Sequence, residues 1–107
     1  MKISYGNSRM DKKWKNNEIS WEDFCTRVSS TIRTTETIEE YRKMSKDQQA
    51  SVKDVGGYVA GHLRDGRRKK GNILCRSMIV LDMDYGKPGV WDDTIVHLPY
   101  KCCAYST

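Results

Sequence analysis

The alternation of apolar and polar residues divides the chain into short elements. Lys2-Ile3-Ser4-Tyr5 alternates as a half-buried strand does, and Gly6-Asn7-Ser8-Arg9 then reads as a loop. From Asp11 to Asn17 the chain is polar apart from Trp14, which predicts irregular structure. Ser20-Trp21-Glu22-Asp23 has the form of a helix start. The serine oxygen can accept from free backbone N–H groups, and acids in the first turn suit the positive end of the helix dipole. Trp21, Phe24, Cys25 and Val28 then share one face, so a helix is expected to end near Ser29. Thr37 with Glu40, and Ser45 with Gln48, have the spacing of capping boxes and predict two more helices. Ile38, Tyr41 and Met44 would line the first of these, and Ala50, Val52 and Val55 the second. Gly56-Gly57 would end it, because glycine tolerates the left-handed conformation that follows a helix.

Tyr58 to Leu63 reads as a strand, followed by a polar loop over 64–72. The strongest strand pattern is Ser77-Met78-Ile79-Val80-Leu81-Asp82-Met83-Asp84. It is nearly continuous in apolar residues, which predicts burial on both faces. Tyr85-Gly86-Lys87-Pro88-Gly89 reads as a turn. Residues 90–98 fit helix and strand alike, and Trp91-Asp92-Asp93 suits the opening of a short helix. Tyr100 to Tyr105 reads as a final strand. No repeat, low-complexity segment or linker interrupts the chain. The order of elements predicts one α+β domain spanning residues 1–107, with a mixed sheet and helices packed on one face.

Composition sharpens this picture in three ways. The formal net charge of +5 favours anionic partners such as nucleic acid or acidic protein surfaces, and it argues against a nucleic-acid mimic. Five of residues 64–70 are basic (Arg64, Arg67, Arg68, Lys69 and Lys70), and Arg76 lies nearby. Such a cluster can contact phosphates, although a solvated loop has the same composition. Cys25, Cys75, Cys102 and Cys103 lack the paired spacing of a zinc site and are expected to be reduced thiols. No stretch is long and apolar enough to span a membrane, and a cytoplasmic protein is expected.

Asp82 and Asp84 lie two apart at the end of the predicted strand, so both carboxylates would project from the same side. Carboxylate pairs suit hard cations, and the expected ion is Mg²⁺ or Mn²⁺. A strand-closing turn of the same composition is the competing interpretation.

Several blocks together resemble a known family. They are Ile3-Ser4-Tyr5-Gly6-Asn7-Ser8-Arg9, Trp14, Glu36 with Glu40-Tyr41, Lys53-Asp54-Val55-Gly56-Gly57-Tyr58, and Arg76 to Asp84. In this order they resemble the N-terminal primase-polymerase region of phage and mobile-element replication proteins, of the type fused to virulence-associated E helicases. The resemblance implies a partial archaeo-eukaryotic primase-like fold, with Asp82 and Asp84 as the Asp-x-Asp metal motif. It also implies a Ser/Thr-x-His element, which Tyr105-Ser106-Thr107 enters without a match for its histidine, and a further aspartate that has no match in the sequence. The domain is therefore expected to be truncated and not to be a working polymerase.

Two functions follow as expectations. One is a phage-encoded inhibitor, a candidate anti-CRISPR protein acting on a Cas9-type nuclease, its guide RNA or its target DNA in the bacterial host cytoplasm. The other is a nucleic-acid-binding fragment or split piece of a metal-dependent primase. Arg64, Arg67, Arg68, Lys69, Lys70 and Arg76 are the expected contact residues in both.

Overall fold

The computed structural model describes residues 1–84 and 87–105. Three strands, β1 (Lys2–Gly6), β2 (Lys15–Glu18) and β3 (Gly57–Val59), form an antiparallel sheet in the order β2-β1-β3. Four helices accompany them: α1 (Trp21–Ser29), α2 (Ile38–Lys43), α3 (Lys46–Val52) and α4 (Val90–His97). The class is α+β, as the pattern predicts. The sheet is antiparallel at both pairings and not mixed, because β1 pairs with its neighbours through Lys2↔Glu18 and Gly6↔Gly57 in opposed directions.

The helix starts form as their capping residues dictate. Ser20 accepts from the Asp23 backbone, and Thr37–Glu40 and Ser45–Gln48 close reciprocal capping boxes. On α1, Phe24 is buried and Trp21, Cys25 and Val28 are half-buried, so the predicted face is the one the helix covers. The expected stripes of the next two helices are only partly realised. Ile38 is 70% exposed and Val55 is 49% exposed, and neither α2 nor α3 buries a residue fully.

Alternation along β1 divides the sheet into two faces. Ile3 and Tyr5 point to one of them. There Arg27 of α1 lies 4.4 Å from the Tyr5 ring centroid, and Phe24 meets Tyr58 edge-on at 5.1 Å. Ser4 and Gly6 point to the other face, which Trp14 covers. A Cβ on Gly6 would come within 2.6 Å of the Trp14 ring, so only glycine leaves room for the indole. Trp14 is 3% exposed and, with Ile3, Phe24, Ala60 and Leu63, makes up the buried apolar core.

Three predicted strands and one stretch expected to be irregular need correction. Lys15-Asn16-Asn17-Glu18 is a strand although its composition is polar, because β1 supplies the backbone partners. After Val59 the chain leaves the sheet, and only Leu63 returns to bridge Ile73. Residues 77–84 and 100–105 form no strand in the structure. Ile79 is 88% exposed and Leu81 73%, so the apolar run is not buried on two faces: no neighbouring strand lies beside it among the described residues. The expected turn at Tyr85-Gly86 lies outside the described residues.

The loop after β1 is fastened to the end of α3. Asp54 accepts from the Ser8 hydroxyl at 2.6 Å, the Arg9 N–H at 2.8 Å and the Gly56 N–H at 3.3 Å. The Ser8 hydrogen bond, followed by that from Arg9, holds the Asp54 carboxyl below its ordinary value of 3.8. A lowered native-state pKa contributes stability that is complete above the unfolded value and is lost as pH falls through the native one. The melting temperatures of the native protein and Asp54→Asn should therefore differ at neutral pH. They should converge as pH drops below the ordinary aspartate value, and thermal melts across acid pH would check this.

Candidate nucleic-acid interface

The basic loop sits on the Trp14 face, opposite α1, and its backbone is braced from within. Arg64 N–H donates to the Asn72 carbonyl at 2.8 Å, and Leu74 N–H to the His62 carbonyl at 2.9 Å. The Asn72 side chain is buried, and its amide donates to the carbonyls of Arg64 and Arg67 at 3.3 and 3.0 Å. Buried amides of this kind fix a loop because an unsatisfied carbonyl would be costly. A 3₁₀ turn runs from Arg64 to Gly66. Gly66 has φ +67°, and a Cβ there would lie 2.3 Å from the Trp14 carbonyl oxygen. Its own carbonyl accepts the Trp14 N–H at 2.7 Å.

A second brace comes from Asn16 on β2. Its side-chain amide donates to the Leu63 carbonyl at 2.8 Å, while its side-chain oxygen accepts the Leu63 N–H at 2.9 Å. One side chain thus pairs with the backbone as a neighbouring strand would. Ser4, fully buried, donates its hydroxyl toward Asn16 and the Gly61 carbonyl. His62, outside any strand, hydrogen-bonds to the Asn17 carbonyl at 2.9 Å.

On this frame Arg64, Arg67, Arg68, Lys69 and Lys70 are all exposed. The guanidinium of Arg68 lies 4.6 Å from the Trp14 ring centroid, so one cation is fixed against an aromatic face. Arg68, Lys69 and Lys70 rim a shallow hollow of about 310 Å³ whose apolar walls are Val59, Leu63 and Ile73. Arg76 is exposed as well, on the segment that crosses Gly61. The structure therefore gathers five of the expected contact residues on one ordered loop. Asn72, Asn16 and Gly66, which shape that loop, were not singled out from the sequence. The Gly66 position carried a signal in retrospect, as a glycine inside a charged run.

Asp82 and Asp84 are placed differently from the expectation. Both are exposed on an irregular segment rather than on a strand. Among the described residues, no cluster of three or more His, Cys, Asp or Glu side chains could hold a metal ion. Tyr85, next to Asp84 in sequence, and Ser106-Thr107 lie outside the described residues.

The model of the VapE N-terminal domain matches residues 1–107. The chain belongs to the VapE N-terminal domain family. This agrees with the resemblance drawn from its residues and ties the chain to a primase-related region of phage and mobile-element proteins. No curated protein and no solved structure matches it. Within this VapE N-terminal domain, no helix among the described residues is long and apolar enough to cross a membrane.

Proposed function

We propose that this VapE N-terminal domain is a nucleic-acid-binding module whose contact surface is the loop Arg64–Lys70 together with Arg76. The observation that carries this reading is the braced loop: five cations stand exposed on a backbone held by Asn72, Gly66 and the Trp14 platform. A preformed basic loop binds phosphates without first paying to order itself. The hollow beside it joins an apolar wall to a cationic rim, which suits an unpaired base with its phosphate more than a closed duplex. The inhibitor of a Cas9-type nuclease draws no support from the fold or the family.

Binding of a fluorescent single-stranded oligonucleotide, measured over a range of salt, tests the proposal. Replacing Arg67, Arg68, Lys69 and Lys70 with alanine should weaken binding by roughly 100-fold or more at low salt. It should also flatten the plot of log K against log salt by about 0.7 for each phosphate that is no longer neutralised. Asp82→Asn with Asp84→Asn should bind as the native domain does, with or without Mg²⁺. Unchanged affinity in the alanine variant at every salt concentration would remove the loop as the contact surface.

A further inference from the structure

The apolar run after Arg76 is fastened at one end. Ser77 donates its N–H to the Ala60 carbonyl at 2.9 Å, and its hydroxyl accepts the Lys2 N–H at 3.0 Å. Beyond it, Met78 to Asp84 make no backbone hydrogen bond among the described residues. Ile79, Val80 and Leu81 stand exposed. A stretch with strong β propensity, unpaired backbone and apolar side chains in water is a template for another strand.

The Ser77 bond decides which edge of the run is available. Along an extended chain, the backbone groups of successive residues point to opposite sides. Ser77 is turned toward its own Ala60. Once the run extends, Ile79 and Leu81 turn the same way, and Arg76, Met78, Val80 and Asp82 offer their N–H and C=O groups outward.

Charge then selects the partner. Arg76 and Asp82 lie three residues to either side of Ile79. Both are exposed, and neither forms an ion pair within the chain among the described residues. When two copies of the run pair antiparallel about Ile79, Arg76 of each stands opposite Asp82 of the other, with Asp84 diagonal to it. Met78 stands opposite Val80, and Ile79 opposite its own counterpart. The apolar centre is thus closed at both ends by opposite charges, an arrangement that favours pairing. Moving the centre to Val80 would set Asp82 against Met78. Parallel pairing in register would set Arg76 against Arg76 and Asp82 against Asp82, which repel.

We propose that residues 76–82 are the contact of a reversible homodimer, joined as an antiparallel strand pair with its two-fold axis at Ile79. The same patch serves both copies, so the contact closes on itself and assembly stops at two. The proposal does not rest on nucleic-acid binding. Arg76 belongs to both surfaces, so the dimer is measured with no oligonucleotide present.

The test is sedimentation velocity of the intact chain from about 1 μM to 1 mM, the range in which small interfaces associate. The average mass should rise toward twice that of the chain and no further. Ile79→Asp sets two carboxylates together on the axis and should stay monomeric throughout, with an unchanged circular dichroism spectrum. Asp82→Arg should raise the dissociation constant by roughly 10-fold or more, because each like-charge contact occurs twice. Combining it with Arg76→Asp should restore the native value. Under mild oxidation, Ile79→Cys should give a disulfide between chains through position 79, since the paired Cα atoms would lie about 4.5 Å apart. Val80→Cys, set opposite Met78, should give none through position 80, and peptide mass mapping separates both from links through the native cysteines. A chain that stays monomeric at the top of the range, leaving the run for a strand of some other protein, would overturn the proposal. So would a dimer that Ile79→Asp leaves intact, growth beyond two copies, or no recovery in the charge-swapped variant.

Discussion

Trp14→Ala should be the most damaging single substitution in the molecule, lowering stability by roughly 3 to 5 kcal/mol. Trp14 is almost fully buried and is the one large side chain that fills the space under Gly6 and Gly57. A glycine pair on adjacent strands offers nothing to collapse into the vacancy. For a domain of this size the loss approaches the whole margin of stability. Urea unfolding followed by circular dichroism would show a large fall in midpoint, or no folded baseline at all. Trp14→Phe should be far milder. It keeps an aromatic surface for Gly6 and Arg68, and it removes an indole N–H that finds no acceptor among the described residues. In the phenylalanine variant oligonucleotide binding should persist, which separates loss of the fold from loss of the binding surface.

The second large effect is expected at Gly61. A Cβ there would lie 1.7 Å from the Cys75 carbonyl oxygen and 2.8 Å from its carbon, so the obstruction is backbone rather than a movable side chain. The segment from Leu74 to Ser77 is tied to the same place, through Leu74 N–H to the His62 carbonyl and Ser77 N–H to the Ala60 carbonyl, both at 2.9 Å. Gly61→Ala must push this crossing away and break at least one of those bonds, at a cost of about 3 kcal/mol. The displaced segment carries Arg76, so affinity for single strands should fall together with the melting temperature. Amide exchange at Leu74 and Ser77 would localise the change. Protected amides at both positions in the variant would show that the clash is relieved elsewhere.

What could be read from the residues was whatever local chemistry decides. Ser20, Thr37 and Ser45 begin helices because their own side chains satisfy nearby N–H groups, and no distant residue is needed for that. The sheet was less legible because strand pairing is a property of two segments at once. Lys15–Glu18 has no apolar face to betray it, yet β1 makes it a strand. Residues 77–84 show the reverse: a strong β pattern with no pairing partner among the described residues. The same asymmetry applies to the site. Charge was visible as a run of basic residues. The order of the loop was not, because it depends on Asn72, on the distant Asn16 of β2, and on the rear of Trp14.

Helices α2 and α3 bury nothing completely, and each is closed at its start by a reciprocal pair of side-chain and backbone hydrogen bonds. The segment 37–52 therefore answers to a much shorter list of requirements than the rest of the domain. If Thr37, Glu40, Ser45 and Gln48 are kept, together with the half-buried Tyr41, Met44, Gln49, Ala50 and Val52, its exposed positions can change without disturbing the core. Substitutions at the exposed positions of this segment carry the least risk to the fold.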